Sequence, residues 1–569
     1  MTNRFIWLAS LVAALIWSGG QAGIFHQDLI NHGGWSLFFQ FVQASWHPDL
    51  SLEFLRLTID ATLKTLGFAV TGTFFSLIIG IIGGIFASQV WWQVALGNQP
   101  QKWGILSPLL LVRASLAIPR AIHEMIWGLF FVNIFGLDPL VGIVAIAIPF
   151  GAITAKVFAE LLDTSDRLPL CAIINAGASP LSAFLYTIIP QTFPNLLSYA
   201  FYRFECSIRA AAVLGIIGAG GLGYEIFLSL QSHRYQQMWT LFWALVLLNG
   251  AVDIWSASLR HRFGAPSRLD LNFQKLSPAK PTTLTKTPSI PSQDPFIKLS
   301  LITVAVIFPL SFWYIQADFS KLWAPRTGQL LANFISSVWP PNPPDWGQLF
   351  TLSAQTIAMS ILAMTGAGFG GILLSFFAAN YSLTHIKSRQ SQAIKTIIVL
   401  ITRTLLLITR AIPAPVWALI LLYVLFPGIL PGSIALGIYN LGILGRLMAE
   451  VIENTDKRPL QALFTLGANQ PQVFLYGILP HTLPRFLAYI LYRWEVCTRE
   501  TALVGLVGAG GLGRQLSEQL SSFDYPGLMV TLLAFIAVTF IVDFISTQAK
   551  LSGNITLGFP SFPLPMALL

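Results

Sequence analysis

The chain has 569 residues, of which 54% are hydrophobic and only 10% are charged. A soluble domain carries about 25% charged residues, so the composition excludes a soluble enzyme, a disordered scaffold and a nucleic-acid-binding protein. Long apolar stretches are typical of a polytopic helical membrane protein, because lipid offers the backbone no hydrogen bonds. The net charge of +9 then indicates basic loops on the inner side of a membrane, and we expect lipid rather than nucleic acid around this protein.

Hydropathy predicts six spans in each half of the chain. Those of the first half lie near residues 5–25, 62–88, 105–135, 138–159, 193–217 and 236–258. Those of the second half lie near 298–316, 351–379, 396–426, 430–452, 483–507 and 526–547. The first span has no A-x-A cleavage signal and is interpreted as retained. The third is interrupted at Pro119, where we expect a kink or a break.

An internal repeat organises the chain. At an offset of 290 residues, Asn195–Gly223 aligns with Arg485–Gly513, and 14 of the 29 positions are identical. The same offset pairs Arg120-Ala-Ile with Arg410-Ala-Ile, and Trp127 with Trp417. Two homologous halves with an even number of spans each have one orientation, so the repeat is parallel rather than inverted.

The repeat defines the expected domain boundaries. We expect a first domain at 1–260, a linker at 261–297 rich in Pro, Ser, Thr and Lys, a second domain at 298–550 and a tail at 551–569. The composition of the linker is that of a flexible segment. Its basic residues predict that the linker and both termini are cytoplasmic. The three cysteines are scattered, with no metal-ligand spacing, so neither a disulfide framework nor a metal site is expected.

The loop between the fourth and fifth spans is repeated in both halves. Ala172, Gly177 and Pro190 of the first copy correspond to Ala462, Gly467 and Pro480 of the second. Small residues around a glycine, thirteen residues before a proline, predict two short helices that meet at a glycine turn. Such an exposed pair could dock into a groove of another protein, and the alternative is an amphipathic connector on the membrane surface.

The loop resembles the EAA coupling loop of bacterial ABC importer permeases. Three neighbouring segments, RAIP (410–413), YRWE (492–495) and GAGGLG (218–223 and 508–513), resemble the phosphonate/phosphite permease family in particular. The similarity covers most of both halves. It implies an all-α fold in which two six-span domains of the type I importer kind, about twelve transmembrane helices in all, pack around a pseudo-two-fold axis.

Two positions depart from the family pattern. The glutamate at the head of the coupling loop is Cys171 in the first half and Gln461 in the second. The proline of RAIP is His123 in the first half, followed by Glu124. These departures put equal engagement of the two halves in doubt.

The resemblance also implies partners. No G-x-x-x-x-G-K-[ST] occurs in the sequence, so the phosphate-binding loop of an ATPase is absent. We therefore expect no catalytic residue and no cofactor in this chain. We expect two separate ABC ATPase subunits, which would bind ATP and Mg on the cytoplasmic side, and a periplasmic or lipid-anchored substrate-binding protein. The expected location is the bacterial inner membrane.

Ionisable residues lie on one face of the fifth span. Tyr202, Glu205 and Arg209 are spaced by three and four residues, and the second half repeats them as Tyr492, Glu495 and Arg499. Charges in a membrane cost about 2.5 kcal/mol or more each and usually face the interior of the bundle. The two glutamates either neutralise the arginines at i, i+4 or belong to the substrate path. We expect the two arginines on the path of an anion, approaching one another across a central cavity, with Arg120 and Arg410 as weaker candidates.

The GAGGLG segments follow this stripe. Glycines of this density predict close helix packing or a tight turn, and the alternative is a periplasmic loop that contacts the substrate or its carrier.

These observations favour an ATP-driven importer of a small anionic substrate, a phosphonate or phosphite-type oxyanion. One alternative is a permease for an amino acid or a quaternary amine. A quaternary amine calls for an aromatic cage rather than buried arginines. The other alternative is a proton-coupled secondary transporter, which leaves the paired loops unexplained.

Overall fold

A computed structural model of the chain describes residues 2–26, 28–96, 107–262, 294–338, 340–341, 345–380 and 389–552. Most of the predicted linker and of the C-terminal tail therefore lies outside the described residues. Within the described ranges all regular structure is helical, apart from one isolated antiparallel bridge between Ile30 and Leu425. The expected all-α fold is confirmed.

Each predicted span coincides with a helix or with a pair of helices. The α-helices of the first half are α1 (Thr2–Gln21), α2 (Trp35–Ala44), α3 (Leu52–Ala87), α4 (Gln89–Leu96), α5 (Pro108–Ala121), α6 (Glu124–Phe135), α7 (Leu140–Asp163), α8 (Leu168–Asn175), α9 (Pro180–Leu214), α10 (Leu222–Gln231) and α11 (Tyr235–Arg262). Those of the second half are α12 (Pro295–Ile315), α13 (Pro325–Val338), α14 (Trp346–Ala378), α15 (Arg389–Ala411), α16 (Ala414–Leu421), α17 (Ile429–Glu453), α18 (Lys457–Thr465), α19 (Gln470–Val473), α20 (Leu479–Val504), α21 (Gly511–Ser521) and α22 (Tyr525–Ser552).

Short helical segments of other types join some of these helices. Two 3₁₀ turns lie at His32–Gly34 and Phe319–Leu322, and three π-helical turns lie at Gly215–Ala219, Phe474–Ile478 and Gly505–Ala509.

Eight helices within the described residues are long and apolar enough to cross a membrane. A ninth crossing is formed if α9 and α10, which are bent by 56° relative to one another, are taken as one broken span. Three predicted spans are not among these crossings. They are α1, the third span of the first half, which is divided into α5 and α6, and α20, which contains five charged residues between Arg485 and Glu500.

The third span breaks close to the expected point. Pro119 lies inside the last turn of α5, and the chain becomes extended at Ile122 and His123 before α6 begins. The His123 Nδ1 accepts a hydrogen bond from Met125 N at 3.2 Å, which caps α6. Proline therefore ends the helix a few residues after its own position.

The described residues divide into two compact units that differ from the two halves of the sequence. The continuous unit is made of the described residues between Pro48 and Leu331, and the discontinuous unit combines the described residues before Pro48 with those after Leu331. In the continuous unit α12 packs against α3, and in the discontinuous unit α1 packs against α14. The first helix of each half thus belongs to the compact unit built mainly from the other half.

Glycines bring the central helices of each unit close together. In the continuous unit, a Cβ added to Gly72 or Gly80 of α3 would lie 2.8 Å from Ile146 or 2.5 Å from Thr154 of α7. In the discontinuous unit, a Cβ on Gly370 of α14 would lie 2.4 Å from Leu441 of α17. Small residues at such positions are typical of helix pairs packed in lipid. These two pairs form the framework that positions the loops described next.

Candidate functional site

The loop between α7 and α9 contains a helix stop of a defined type. Gly177 has φ +90°. The amide of Gly177 donates to Ile174 O at 2.9 Å, and that of Ala178 donates to Ile173 O at 3.2 Å. This pair of hydrogen bonds is a Schellman motif, which requires a left-handed residue and therefore favours glycine.

The second half repeats this geometry. Gly467 has φ +88°. Its amide donates to Phe464 O at 3.0 Å, and the amide of Ala468 donates to Leu463 O at 3.1 Å. The predicted glycine turn is therefore present in both loops. Ala172 and Ala462 take the same place in the preceding short helices, where each carbonyl accepts from the Ccap amide at 3.1 Å.

The helix that follows the glycine differs from the prediction in the first half. We expected a second short helix and a span beginning near 193, but α9 runs without interruption from Pro180 to Leu214. Pro190 and Pro194 lie inside this helix. In the second half α19, a π-helical turn and α20 follow directly on one another, and Pro480 lies in the first turn of α20. The prediction of a separate short helix is wrong because these prolines do not end the helices.

One face of the first loop is anchored in a buried cluster. Leu170 of α8 and Phe184 of α9 pack with Val90 of α4 and Leu162 of α7, and the Phe184 ring lies 5.4 Å from that of Trp91. The opposite face carries apolar side chains that are exposed. Tyr186 and its repeat partner Tyr476 are 77% and 76% exposed, and Leu168 and Leu466 are exposed to a similar degree. Apolar side chains with this exposure form a surface suited to a protein partner.

An ion pair joins the ends of α3 and α7 to α5, next to the first loop. The Arg113 guanidinium on α5 donates to Ala87 O at the end of α3 at 2.9 Å, and its NH2 lies 3.1 Å from Asp163 Oδ2 at the end of α7. Ser88 Oγ donates to the same carboxylate at 2.7 Å. We call this group the helix-end clamp.

The clamp is repeated in the second half. Arg403 of α15 donates to Ala378 O at 2.9 Å and pairs with Glu453 at the end of α17. The Asn380 amide donates to Glu453 at 2.6 Å. In each half the loop therefore follows a carboxylate, Asp163 or Glu453, that is bound by an arginine of α5 or α15 and by a group just after the end of α3 or α14. Sequence reasoning missed this group, although Arg113 and Arg403 are related by the repeat offset.

The tryptophans noted in the repeat bridge the broken third span. Trp127 Nε1 donates to Pro119 O at 3.3 Å, and Trp417 Nε1 donates to Thr409 O at 3.4 Å. Arg120 and Arg410 are the residues that follow these acceptors, and both are partly buried. The structure thus places the two arginines at the breaks, in the last turns of α5 and α15.

Charged residues on α9 are buried. Arg203 and Glu205 are 6% and 7% exposed. The Arg203 guanidinium carbon lies 3.9 Å above the centre of the Phe150 ring of α7, a cation–π contact. Glu205 Oε1 lies 3.4 Å from NH1 of Arg260, on α11. Arg209 is partly buried, and its NH2 lies 3.2 Å from Cys206 Sγ.

The second half arranges the same helix differently. Arg493 NH2 lies 2.9 Å from Glu500 Oε1, and Arg493 Nε donates to Asn440 Oδ1 at 2.9 Å. Asn440 Nδ2 in turn donates to Glu500 Oε2 at 3.0 Å. Arg499 NH2 lies 3.3 Å from Glu495 Oε1. The i, i+4 pairing that we considered for the glutamates is therefore present at Glu495, whereas Glu205 contacts a cation of another helix.

Tyrosines of the predicted stripe lie beside these charges. Tyr202 is partly buried, and its ring centroid is 5.8 Å from that of Tyr199. Tyr492 is 41% exposed. Sequence reasoning assigned no role to Arg203 or Arg493, and it missed the partners Asn440 and Glu500. The repeated Tyr-Arg pair was a signal for the two arginines, but Asn440 and Glu500 have no equivalents in the first half.

The GAGGLG segments are tight turns. Gly218, Gly220 and Gly221 have φ of +97°, +89° and +79°, and the second copy is similar. A Cβ on Gly223 would lie 1.7 Å from Ala212 O, so this position requires glycine. Leu222 N donates to Thr65 Oγ1 at 2.8 Å. The structural interpretation accounts for the motif, because these glycines bend the chain by 56° between α9 and α10 and bind the start of α10 to α3.

The fold and these sites define a class of protein, a multi-pass helical permease in which one glycine-turn loop is repeated in both halves. The family described as "Binding-protein-dependent transport system inner membrane component" matches residues 98–263 and 371–549. The chain belongs to this family. It is a multi-pass membrane subunit of a binding-protein-dependent ABC importer.

Several curated proteins are similar to the chain. The phosphate-import permease protein PhnE of Mycolicibacterium smegmatis is 25% identical over 430 residues, which is 74% of each protein. The phosphite transport system permease protein PtxC of Stutzerimonas stutzeri is 30% identical over 213 residues, 37% of this chain and 74% of the relative. The putative cryptic phosphonate transport system permease protein PhnE2 of Escherichia coli is 33% identical over 117 residues, 21% of this chain and 96% of the relative.

Two solved structures also align with the chain. An inward-facing structure of the MetNI methionine ABC transporter is 20% identical, with a TM-score of 0.32, and the match covers 37% of this chain and 98% of that chain. An amino acid ABC transporter crystallised with histidines is 17% identical, with a TM-score of 0.29, and the match covers 42% of this chain and 99% of that chain.

Proposed function

We propose that the chain forms the membrane path of an ATP-driven importer for small phosphorus oxyanions such as phosphonate, phosphite and phosphate. The observation that carries the proposal is the pair of loops with one Schellman geometry, at Gly177 and Gly467, each of which presents exposed apolar side chains. The names of the relatives, which describe phosphate, phosphite and phosphonate transport, support the substrate class.

Buried arginines support an anionic substrate. Arg209 and Arg499 are partly buried on α9 and α20, beside the glutamates and tyrosines of the same stripe. The planar guanidinium group matches the spacing of phosphoryl oxygens. Partial neutralisation of Arg499 by Glu495, which lies 3.3 Å away, weakens anion binding and favours release of the substrate on the other side.

The two loops are proposed to bind one ABC ATPase subunit each. A short helix that ends in a rigid turn, with Leu168 and Tyr186 exposed beside it, fits the helix-in-groove mode of recognition. The ATPases hold ATP and Mg, and the chain by itself is not an enzyme. Ala172, Pro190, Ala462 and Pro480 support this loop geometry rather than contacting nucleotide.

The proposed topology places the loops, both termini and the linker 261–297 in the cytoplasm of a bacterium. The two domains, 1–260 and 298–550, then have the same orientation in the plasma membrane. A periplasmic or lipid-anchored binding protein delivers the substrate from outside. The basic residues of the linker support this orientation.

Reconstitution tests the proposal. The chain would be placed in proteoliposomes with candidate ATPase subunits and binding proteins loaded with phosphite, phosphate, methylphosphonate, methionine or glycine betaine. We expect ATP hydrolysis and uptake to rise only with a phosphorus oxyanion. Stimulation of ATP hydrolysis by methionine or betaine would show that the importer belongs to another substrate class. Uptake driven by a proton gradient without ATP would overturn the ATP-driven mechanism.

A further inference from the structure

We propose that α2 and α13 lie in the lipid headgroup region, at the membrane surface opposite the glycine-turn loops, and that each helix binds phospholipid through an apolar face. The proposal goes beyond the proposed function, because it holds for any substrate. The two helices occupy one place in the repeat, since α2 begins at Trp35 and α13 begins at Pro325. Each helix connects the first predicted span of its half to the second.

Backbone hydrogen bonds place the start of α2 beside one end of α17. The Asn31 amide donates to Val424 O at 2.7 Å, and the Phe426 amide donates to Leu29 O at 3.1 Å. Val424 and Phe426 lie just before α17, whose other end carries Glu453 of the helix-end clamp. A helix of 25 residues is about 37 Å long, and the hydrocarbon core of a bilayer is about 30 Å thick. The start of α2 therefore lies at the membrane boundary opposite the second glycine-turn loop.

The side chains of α2 and of the turn after it form three faces around the helix axis. Exposed apolar residues recur at intervals of four, three and four positions and form the apolar face: Trp35, Phe39, Val42 and Trp46. Exposed polar residues follow each of them by one position and form the polar face: Ser36, Gln40, Gln43 and His47. Buried or partly buried residues form the packed face: Leu37, Phe38, Phe41 and Ala44.

The helix α13 has the same three faces. Its exposed apolar residues share one side: Gly328, Leu331, Ala332 and Ile335. Its exposed polar residues share another: Arg326, Gln329, Asn333 and Ser336. Its buried or partly buried residues form the third: Thr327, Leu330, Phe334 and Val338. At 3.6 residues per turn, the polar face follows the apolar face in the direction of winding, and the packed face follows the polar face, in both helices.

The shared order of faces determines how the two helices are oriented. In the proposed topology the two halves have one orientation in the membrane. Helices at one repeat position then run the same way relative to the bilayer. One order of faces therefore turns both polar faces toward water and both apolar faces toward the acyl chains, while the packed faces contact the protein.

The composition of α2 favours lipid over a soluble protein as the partner of the apolar face. No Asp, Glu, Lys or Arg occurs from residue 29 to residue 48, whereas protein–protein interfaces have a polar rim. Trp35 and Trp46 are 38% and 80% exposed, and tryptophan is enriched where a membrane meets water. The Trp35 ring lies 5.9 Å from that of Phe39. An interfacial helix buries such a face about 5–10 Å into the boundary between headgroups and acyl chains.

The apolar face of α2 also continues an exposed apolar surface on α1. Leu11 and Ile16 of α1 are exposed, and so are Ile24 and Phe25 just after it. Exposed apolar side chains on a membrane span contact lipid. Because α1 and α2 belong to one compact unit and follow one another in the chain, lipid that surrounds α1 also reaches α2.

Spin labelling tests the proposal in the full chain. The three native cysteines are replaced in Cys171→Ser, Cys206→Ala and Cys497→Ala. In this background Phe39→Cys and Ile335→Cys place a nitroxide on the apolar faces of the two helices. Gln40→Cys and Gln329→Cys are the matched controls on the polar faces. Each labelled chain is reconstituted in nanodiscs of phosphatidylethanolamine and phosphatidylglycerol.

Power-saturation EPR measures collisions of each nitroxide with oxygen, which dissolves in lipid, and with a nickel chelate, which stays in water. We expect the ratio of oxygen to nickel accessibility to be severalfold higher at positions 39 and 335 than at positions 40 and 329. Equal ratios at the four positions would overturn the proposal. Nickel accessibility at position 39 that is lost only when a phosphite-loaded binding protein is added would assign the apolar face to that protein instead.

A charge substitution gives a second measurement that needs no label. Phe39→Glu puts a carboxylate on the apolar face of α2, and Gln40→Glu puts the same charge on the polar face, one residue away. Because a charge in lipid is costly, we expect Phe39→Glu to lower the melting temperature in nanodiscs by several degrees relative to Gln40→Glu. Failure of Phe39→Glu alone to insert into the membrane would be the same result in a stronger form. Equal melting temperatures would overturn the proposal.

Discussion

Arg113 and Asp163 join three helices at the point where the first glycine-turn loop begins. The guanidinium lies 3.1 Å from the carboxylate and also binds the last carbonyl of α3. The second half repeats the arrangement with Arg403 and Glu453. Because α8 begins five residues after Asp163, the clamp fixes the start of the loop to α3, α5 and α7.

Removing the carboxylate charge of the helix-end clamp should destabilise the transporter. Asp163 is mostly buried and accepts hydrogen bonds from Ser88, Val90 and Arg113. Asp163→Asn should cost about 2 kcal/mol, since hydrogen bonds to a charged group are lost. The melting temperature of the detergent-solubilised complex measures this loss.

An exposed ion pair provides the control for the clamp. Arg514 lies 2.7 Å from Glu518, and the Arg514 side chain is 59% exposed. Arg514→Gln should therefore leave the melting temperature nearly unchanged. If Asp163→Asn also melts like the wild type, the clamp has no structural importance.

The purified chain should hydrolyse no ATP alone. The sequence contains no phosphate-binding loop of the Walker type. Addition of the separate ATPase subunit should give activity in the same preparation. ATP hydrolysis by the chain without that subunit, in samples shown to be free of contaminating ATPase, would contradict the proposal that a separate subunit hydrolyses ATP.

Replacing Gly177 or Gly467 by valine should uncouple ATP hydrolysis from uptake. A Cβ would meet nothing within 4 Å at either position, so the cost comes from the backbone rather than from a clash. The φ values of +90° and +88° cost a β-branched residue at least about 1 kcal/mol. Co-purification of the ATPase and uptake per ATP are the measurements.

Gly366 of α14 is the matched control for the loop glycines. A Cβ added to Gly366 would also meet open space, but the φ of this residue is not in the left-handed region. Gly366→Ala should be neutral or slightly stabilising, because alanine favours a helix. If both loop variants bind the ATPase and transport like Gly366→Ala, the assignment of the coupling loops is wrong.

Substitution of Gly223 should damage the α9–α10 turn. The Cβ of Gly223→Ala would lie 1.7 Å from Ala212 O, so the backbone must move, at a cost of about 3 kcal/mol. Gly220→Ala has nothing within 4 Å but a φ of +89°, and it should cost about 1 kcal/mol. Thermal unfolding that ranks the two variants in the opposite order would contradict this account of the motif.

The sequence predicted those features that local chemistry determines. Repeated apolar stretches predicted the helices, and Gly177 and Gly467 predicted the turns, because only glycine adopts a left-handed backbone at little cost. The prediction of a short helix before Pro190 was wrong, since packing against α7 and α4 keeps α9 continuous through both prolines. Proline alone does not report whether a helix ends or only bends.

Other features depend on contacts that a repeat comparison cannot reveal. Asn440 and Glu500 bind Arg493, but the first half has other residues at both repeat positions. A comparison that looks for residues identical in the two halves therefore does not find them. The exchange of α1 and α12 was also not predicted. Hydropathy indicates that a helix enters the membrane, but it carries no information about which bundle that helix joins.

The exchanged first helices have a consequence for biosynthesis. The partner of α12, α3, has already been made when α12 leaves the ribosome, whereas α1 packs on α14, which begins 325 residues after α1 ends. During that interval the whole continuous unit is synthesised, and α1 has no native neighbour on α14. The stretch from Phe5 to Phe25 contains no charged residue, so contact with lipid during the interval would bury no charge.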